Sequence, residues 1–200
     1  MAAMMWVRTL LFGVVLFLCA SPAAARAKLE PGQKAPAFNL KDGSGKEYAL
    51  EQSLGGKCAV VMFIATRCPV SNRYNDRMVA LYDDYAQKGI TFLAINSNKQ
   101  ESMDEVREHA RSHGFRFPVL KDEGNKVADS YGAQVTPEIF VVDAKGIVRY
   151  HGRIDDNMDP GEVQSHDLRA ALDALLRGKE IPRTETKAFG CSIKRVGGDS

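Results

Sequence analysis

The sequence predicts an α/β domain with a central mixed β-sheet covered by helices on both faces. Apolar, β-branched runs typical of buried strands alternate along the chain with stretches in which apolar residues recur at helical spacing. A late pair of strands joined by a turn, Asp143–Gly146, predicts an antiparallel hairpin. Strands that alternate with helices share one sheet and are packed on both sides. With 200 residues and a formal net charge of +2, the chain suits one such domain and shows no charge excess that favours nucleic acid.

The elements of the first half follow in order along the chain. A turn-rich segment, residues 28–45, contains a short alternating strand at Phe38–Leu40. Lys57–Ala65 is a near-continuous apolar run, which indicates a strand covered on both faces. Apolar residues at helical spacing predict a helix over Asn72–Gln87, and Ile90–Ile95 is a second buried strand.

The second half opens with a capping box, in which Ser102 and Glu105 predict the start of a helix that runs to about His113. The further predicted elements are a short extended stretch at Val119–Leu120, a helical turn or two at Asn125–Tyr131, hairpin strands at Ile139–Val142 and Ile147–Tyr150, and a helix at Leu168–Leu176. A polar C-terminal tail, residues 178–200, follows this last helix and carries Cys191.

Residues 1–27 predict a secretory signal peptide. Arg8 precedes an apolar run, Leu10–Ala20, and small residues follow that suit cleavage after Ala25 or Ala27. The run is shorter than the roughly 20 residues that span a bilayer, so we expect no stable membrane span after cleavage. An uncleaved membrane anchor is the alternative. Residues 28–200 would then form one exported domain, periplasmic or secreted, in a compartment where disulfides persist.

The cysteines fall in distinct settings. Cys19 lies in the signal peptide, and Cys58 heads a buried strand and is interpreted as core filling. Cys68 stands where a buried strand ends and a helix begins, and free backbone N–H groups and the helix dipole there favour a thiolate. Pro69 suits the first helical position, and Arg67 adds positive charge nearby.

Cys68 belongs to the motif Thr66-Arg-Cys-Pro-Val-Ser71, in which Ser71 takes the place of the second cysteine of a Cys-x-x-Cys site. The polar neighbours favour a reactive cysteine, and the alternative is a buried structural one. Cys191 is the candidate second sulfur. The tail that follows Arg177 extends about 45 Å at roughly 3.3 Å per residue, and the expected radius of gyration is about 16 Å. Cys191 can therefore reach Cys68, although a free or intermolecular thiol is the alternative.

Thr136-Pro137 precedes the Ile139 strand and is a candidate cis-proline site, with a trans proline at a strand entrance as the alternative. Together, five segments resemble the thioredoxin-like redoxins, within them the alkyl hydroperoxide reductase/thiol-specific antioxidant relatives and a peroxiredoxin-like exported branch. The segments, found between about residues 30 and 195, are GQKAPAFNLKDGSGKEYAL, the strand ending in FIATRCPVS, GITFLAINSN, VTPEIFVVDAKGIVRYHGRID and FGCSIK. The resemblance implies a thioredoxin fold, a reactive Cys68, and Thr136-Pro137 as the cis-proline loop packed against it.

Within this resemblance, the chain departs from the sequence motifs of both thioredoxins and peroxiredoxins. Thioredoxins carry a resolving cysteine where Ser71 stands and a buried acid where Met62 stands, so a proton relay through that acid is not expected. Peroxiredoxins carry a threonine where Ala65 stands and a proline where Val61 stands, and an arginine near the position of Thr136-Pro137. Cys68 is thus thioredoxin-like in its surroundings and monothiol in its local motif.

We therefore expect an exported thiol-dependent oxidoreductase without a cofactor. Cys68 attacks a disulfide or a peroxide, and Cys191 is the candidate resolver, with a small thiol or a redox partner protein as the other option. The expected partners are that thiol reductant or redox protein and the peroxide or disulfide substrate, not nucleic acid. The alternative is a non-catalytic binding or redox-sensing module in which a Cys68–Cys191 disulfide is structural.

Two further patterns in the sequence are weaker. His109 and His113 lie four residues apart on a predicted helix, which suits metal binding, but no third ligand is evident and a solvated helix face is favoured. Arg149, His151 and Arg153 alternate along a strand and its exit, and we interpret them as a solvated face.

Overall fold

The computed structural model describes residues 28–197, so the predicted signal peptide, with Cys19, lies outside the described residues. The strands are β1 (Asn39–Asp42), β2 (Glu47–Ala49), β3 (Cys58–Ile64), β4 (Ile90–Asn96), β5 (Val119–Lys121), β6 (Val135–Thr136), β7 (Glu138–Asp143), β8 (Val148–Gly152) and β9 (Cys191–Ser192). The α-helices are α1 (Leu50–Ser53), α2 (Pro69–Asn72), α3 (Asn75–Tyr85), α4 (Met103–Ser112), α5 (Lys126–Tyr131) and α6 (Asp167–Leu176). Across residues 28–197, no helix has both the length and the apolar character needed to cross a membrane.

The central sheet has seven strands in the order β2-β1-β5-β4-β3-β7-β8. Strands β3, β4 and β5 run parallel, whereas β7 and β8 form the predicted antiparallel hairpin at one side and β1 pairs antiparallel with β5 at the other. The predicted mixed sheet is therefore confirmed. A separate two-stranded sheet joins β6 to β9 and connects the C-terminal tail to the domain.

Two apolar clusters, one on each face of the sheet, make up the core. All seven residues of β3 are buried, and alternate side chains point to opposite faces of a strand. Val60 and Met62 pack into the cluster that includes α3, α4 and α6, whereas Val61 and Phe63 pack into the cluster that includes α1 and α5. Burial on both faces explains why the sequence of β3 is continuously apolar rather than alternating.

The predicted helix over Asn72–Gln87 is wrong in its boundaries. The structure has the four-residue helix α2 and then α3, with a tighter turn between them in which the Tyr74 N–H bonds to the Ser71 carbonyl three residues back. Tyr74 is buried at this turn and donates its hydroxyl to Asp155, 2.9 Å away. This contact comes from a distant part of the chain, so local periodicity could not place the break.

The C-terminal tail is a docked segment rather than a polar appendage. Ile181 and Ile193 are buried, and Phe189 packs against Tyr74 with ring centroids 6.3 Å apart. Farther back in the tail, the Thr186 N–H bonds to the carbonyl of His151 at the end of β8. The tail therefore runs along the domain before it reaches β6.

Candidate active site

Cys68 lies between the end of β3 and the start of α2. It is the N-cap residue of α2, and its sulfur accepts a hydrogen bond from the Ser71 N–H at 3.3 Å. Pro69 occupies the first helical position, where no N–H is needed. As a thiol, Cys68 donates to the carbonyl oxygen of Thr136, with 3.4 Å between sulfur and oxygen. The Thr136–Pro137 bond is cis, as the sequence predicted.

The surroundings of Cys68 favour its thiolate. Burial, the largest influence, raises the pKa of the Cys68 thiol, but hydrogen bonds from the Cys191 thiol and the Ser71 N–H oppose it. The Thr136 hydroxyl and the Cys191 N–H add to these, and the pKa ends below its ordinary value. Because α2 has only four residues, these hydrogen bonds rather than a long helix dipole account for the lowered pKa.

Strand β9 carries the second sulfur to Cys68. In the antiparallel pair of β6 and β9, Cys191 stands opposite Thr136, and Ser192 stands opposite Val135. Cys191 therefore lies beside the Thr136 carbonyl to which the Cys68 thiol donates, and the two cysteines line one cavity. Burial, followed by the neighbouring Cys68 sulfur, raises the pKa of the Cys191 thiol. The tail thus presents a second thiol beside Cys68.

The position of β9 depends on a close approach at Gly190. A Cβ at this position would lie 1.9 Å from the Thr136 carbonyl oxygen, so no larger residue fits without a shift of backbone. On the other side of Cys191, the buried Ile193 donates its N–H to the Gln134 carbonyl at 2.9 Å. Contacts made by the residues before and after Cys191 therefore fix the position of this cysteine.

Residues beyond Ile193 continue the docking. The Lys194 N–H bonds to the side-chain oxygen of Asn98 at 2.7 Å, and the Lys194 carbonyl accepts from the Lys99 N–H at 2.9 Å. The Val196 N–H bonds to the side chain of Asn125 at 2.7 Å. These contacts hold the tail against the domain and argue against the alternative of a loose tail.

Ser71 does not act as a substitute for a second cysteine. Its side chain is buried, and its hydroxyl accepts a hydrogen bond from the Ala65 N–H at 3.2 Å. Ser71 stabilises the Cys68 thiolate through its backbone N–H, which donates a hydrogen bond to the Cys68 sulfur. The side chain therefore joins the end of β3 to α2 and sets the turn on which Cys68 lies.

A buried carboxylate that the sequence analysis missed holds the loop before Cys68. Glu101, only 2 % exposed, accepts the backbone N–H groups of Thr66 at 2.8 Å and Arg67 at 3.0 Å. The side-chain amides of Asn96 and Asn98 also donate to it. Burial raises the pKa of Glu101, but these four donors outweigh it and lower the pKa below its usual value. Nothing in the sequence around Glu101 distinguishes it from a surface acid.

A second buried carboxylate holds the loop that carries the cis peptide bond. Glu138 accepts the N–H groups of Gln134 at 2.7 Å and Val135 at 3.1 Å, and it bonds to His151 Nε2 at 2.7 Å. His151 is buried and stacks on Phe140, with ring centroids 4.3 Å apart. The prediction of a solvated face at His151 is therefore wrong. The β7–β8 hairpin brings His151 beside Glu138, a pairing that depends on register.

Other predicted residues make their main contacts away from the Cys68 sulfur. The Arg67 guanidinium pairs with Glu105 rather than with Cys68. Cys58 is 1 % exposed, and burial, followed by the charge of Asp143, raises the pKa of its thiol to about 12, which confirms its interpretation as core filling. His109 and His113 stack on each other with ring centroids 4.1 Å apart, and within residues 28–197 no group of three potential metal ligands occurs.

A cavity of about 290 Å³ opens over the two sulfurs. Cys68 and Cys191 line it together with Asn98, Glu101 and the basic side chains of Arg67 and Lys194. The arrangement suits two-electron thiol–disulfide chemistry, because two cysteines, one with a lowered thiol pKa, line a space that admits a small reactant.

The chain is similar to proteins of known family and structure. The model of the AhpC/TSA family matches residues 31–151. The thiol-disulfide oxidoreductase ResA of Halalkalibacterium halodurans is 32% identical over 129 residues, which cover 64% of this chain and 72% of that protein.

Two solved structures show the same architecture. A hypothetical protein of Sinorhizobium meliloti 1021 has a TM-score of 0.79 and 34% identity, covering 86% of this chain and 98% of that one. The peroxidoxin BcpB of Mycobacterium tuberculosis has a TM-score of 0.57 and 20% identity, covering 75% of this chain and 97% of that one. The predicted thioredoxin-like fold is thereby confirmed.

Proposed function

The chain belongs to the AhpC/TSA family, and on that premise we propose that it is an exported thiol-dependent oxidoreductase whose redox centre is Cys68 with Cys191. The pairing of β6 with β9, which brings Cys191 beside Cys68 at one cavity, is the observation that carries the proposal. ResA of Halalkalibacterium halodurans, to which the chain is similar, is a thiol-disulfide oxidoreductase, and this supports the reaction class. The proposal assigns Cys68 the role of nucleophile, because its thiolate is stabilised, and Cys191 the role of resolving thiol.

The reaction proceeds in two displacements. With a disulfide substrate, the Cys68 thiolate attacks one sulfur, a mixed disulfide forms, and the other sulfur leaves as a thiolate. Cys191, once deprotonated, attacks the Cys68 sulfur and releases the second substrate thiolate. With a peroxide, the Cys68 thiolate takes one oxygen to become a sulfenic acid, the other oxygen leaves as an alcohol or water, and Cys191 condenses with the loss of water. Both routes end in a Cys68–Cys191 disulfide.

A thiol reductant or a redox partner protein then returns the disulfide to two thiols. The residues that serve as the frame of the site rather than as reacting groups are Thr66, Arg67, Pro69, Ser71, Thr136 and Pro137. Export follows from the predicted signal peptide, residues 1–27. Sequencing the N-terminus of the mature protein after expression with its leader tests this part, and a chain that still begins at Met1 would contradict it.

Alkylation mapping by mass spectrometry tests the redox pair. The reduced protein is divided and treated with hydrogen peroxide, glutathione disulfide or buffer, and remaining thiols are alkylated after denaturation. We expect Cys68 and Cys191 to be lost together as one disulfide after either oxidant, while Cys58 stays alkylated. In Cys191→Ser we expect sulfenic acid or a mixed disulfide to accumulate at Cys68, and in Cys68→Ser we expect no turnover. Unchanged turnover in Cys191→Ser with no adduct at Cys68 would contradict the proposal.

The second candidate is a binding or redox-sensing module in which the Cys68–Cys191 disulfide is structural. The close docking of β9 and the residues after it is the observation that favours this candidate. The two candidates differ in reduction potential, because a structural disulfide resists reduction by glutathione and a catalytic one does not.

A further inference from the structure

The polar side chains that line the cavity of the candidate active site fall into two sets, and the first set is already satisfied by the protein. The Arg67 guanidinium pairs with Glu105. Glu101 accepts hydrogen bonds from two backbone N–H groups and two side-chain amides. Asn98 donates its amide to Glu101 and accepts the backbone N–H of Lys194. Each of these groups is therefore occupied before a reactant enters.

The second set consists of Gln100, Ser192 and Lys194, which line the same cavity. All three residues are exposed, and among residues 28–197 their side chains meet no hydrogen-bond or ion-pair partner. An amide N–H₂ group, a hydroxyl and an ammonium can each donate a hydrogen bond. This second set therefore offers a reactant donors, and the ammonium adds a positive charge.

The backbone of Lys194 is fixed although its side chain is free. Its N–H donates to the side-chain oxygen of Asn98 at 2.7 Å. Its carbonyl accepts the Lys99 N–H at 2.9 Å and the side-chain amide of Asn125 at 3.3 Å. Asn98 and Asn125 are both buried. The ammonium is thus carried by a chain segment that stays beside the cavity.

The positive charge of Lys194 acts on the redox pair. Burial, followed by the neighbouring Cys68 sulfur, raises the pKa of the Cys191 thiol, whereas the Val70 backbone and the charge of Lys194 lower it. A cation close enough to act on this cysteine also attracts an anionic group that enters the cavity. The charge of Lys194 is therefore placed to select among reactants.

We propose that the small thiol that reduces the Cys68–Cys191 disulfide carries a carboxylate, and that Lys194 binds this group together with the donors of Gln100 and Ser192. This rests on the proposed function, because it takes the disulfide as the oxidised state. Two such thiols supply two electrons and two protons. One sulfur–sulfur bond breaks in the protein, one forms between the small thiols, and the two cysteines become thiols. Lys194 determines specificity and exchanges no bond itself.

The size of the cavity limits the distance between the carboxylate and the sulfur of the reactant. The cavity has a volume of about 290 Å³, and the two cysteines and Lys194 line this one space. The reactant must therefore reach the cysteines with its sulfur and the ammonium with its carboxylate at the same time. A short mercapto acid or a small peptide thiol with a free carboxylate meets this condition.

Alkylation of the reduced full chain tests the carboxylate site without using the disulfide. Iodoacetate and iodoacetamide differ in charge but are similar in size and chemistry, so the ratio of their rates at Cys68 and Cys191 reports the attraction of a carboxylate. In Lys194→Gln we expect this ratio to fall about two- to fivefold, as for an exposed ion pair. Lys194→Arg should keep the ratio, and Lys187→Gln, an exposed position on the same tail, is the matched control. An unchanged ratio in Lys194→Gln would overturn the inference.

Reduction of the oxidised chain by thiols of different charge tests the class of reductant. Mercaptopropionate is an anion, mercaptoethanol is neutral and cysteamine is a cation, and their rates are compared per thiolate because their thiol pKa values differ. We expect wild type to favour mercaptopropionate over cysteamine, and Lys194→Gln to lose about two- to fivefold of this preference. In about 1 M sodium chloride, where the Debye length is about 3 Å, wild type should lose the preference as well.

The outcomes separate the reductant from the redox pair. Wild-type rates that do not depend on the charge of the thiol would overturn the inference alone and leave the redox pair intact. An oxidised chain without a Cys68–Cys191 disulfide would overturn the proposed function, and the class of reductant inferred from it as well.

Discussion

The Cys68 thiolate is stabilised by donors from separate segments of the chain. The Ser71 N–H comes from α2, the Thr136 hydroxyl from β6, and the thiol and N–H of Cys191 from β9. Each donor satisfies part of the charge that burial would otherwise destabilise. The lowered pKa of Cys68 is therefore a property of how these segments meet and not of the Cys-Pro-Val-Ser motif alone.

Thr136→Val tests the hydroxyl among these donors. Valine keeps the shape of the side chain but removes the hydroxyl that lowers the pKa of Cys68. We expect the pKa of Cys68 to rise, because a hydrogen bond to its charged form is lost. At roughly 0.5–1.5 kcal/mol per hydrogen bond, iodoacetamide labelling of Cys68 at pH 6.5 slows by about two- to tenfold.

The measurement is the labelling rate of Cys68 from pH 5 to 9, read by mass spectrometry. Cys58 serves as the internal control, because burial raises its pKa to about 12. A pH profile identical to that of the wild type would show that the hydroxyl does not bind the thiolate.

Ser71→Ala separates a structural role from a catalytic one. The hydroxyl bonds to the Ala65 N–H, and the donor to Cys68 is the backbone N–H, which alanine keeps. We expect the free energy of unfolding to fall by about 1–3 kcal/mol because a buried N–H loses its acceptor. The labelling profile of Cys68 should stay near that of the wild type. A large shift in that profile without a loss of stability would place the Ser71 side chain among the reacting groups.

At the scale of elements, the site is a junction of loops held by buried carboxylates. Glu101 binds the loop between β3 and α2, and Glu138 binds the loop before β6 and β7. Each carboxylate accepts backbone N–H groups that would otherwise be buried without partners. Both loops of the site are thus fixed in place by buried carboxylates.

Glu101→Gln tests the first of these carboxylates. Glutamine keeps the length of the side chain but directs an amide N–H₂ group at donors that need an acceptor. We expect the free energy of unfolding at pH 7 to fall by about 1–3 kcal/mol.

The pH dependence of this difference gives an independent check. The folded pKa of Glu101 lies below its usual value, so the carboxylate stabilises the fold above its unfolded pKa, about 4.3, and this stabilisation is lost as the pH falls through the folded pKa. The difference in free energy of unfolding between wild type and Glu101→Gln, measured by urea unfolding, should be largest at pH 7 and shrink toward pH 3. A gap that is constant over this range would show that the charge of Glu101 contributes nothing.

The elements that could be predicted are those whose signal is local. The apolar run of β3, the capping box of α4 and the turn between β7 and β8 each specify structure within a few residues. Strand β9 could not be predicted, because two residues show no alternation and its position depends on the absence of a side chain at Gly190.

The same distinction applies to the site. Cys68 was predictable because a strand end followed by a helix start is visible in the sequence. Glu101 and Glu138 were not, because a buried acid differs from an exposed one only in the donors that the fold brings to it. The reach of the tail made Cys191 a candidate, but only the pairing of β6 with β9 places its thiol against Cys68.

For the whole molecule, the central claim is that Cys68 and Cys191 form one reversible redox pair. The fold brings together a thiolate at the end of β3 and a thiol from the end of the chain. The docked tail suits either a catalytic or a structural disulfide, and the reduction potential decides between them. Structural disulfides have potentials below about −300 mV, and labile or catalytic ones lie higher.

A redox titration measures this directly. The protein is equilibrated in glutathione and dithiothreitol buffers of set potential, quenched with an alkylating agent, and the state of each cysteine is read by mass spectrometry. The account predicts that Cys68 and Cys191 titrate together in one two-electron transition with a midpoint above about −300 mV. The ratio of oxidised to reduced protein should change tenfold for each step of about 29.6 mV. A midpoint below that potential, or a Cys191 that stays alkylated while Cys68 is oxidised, would contradict the account.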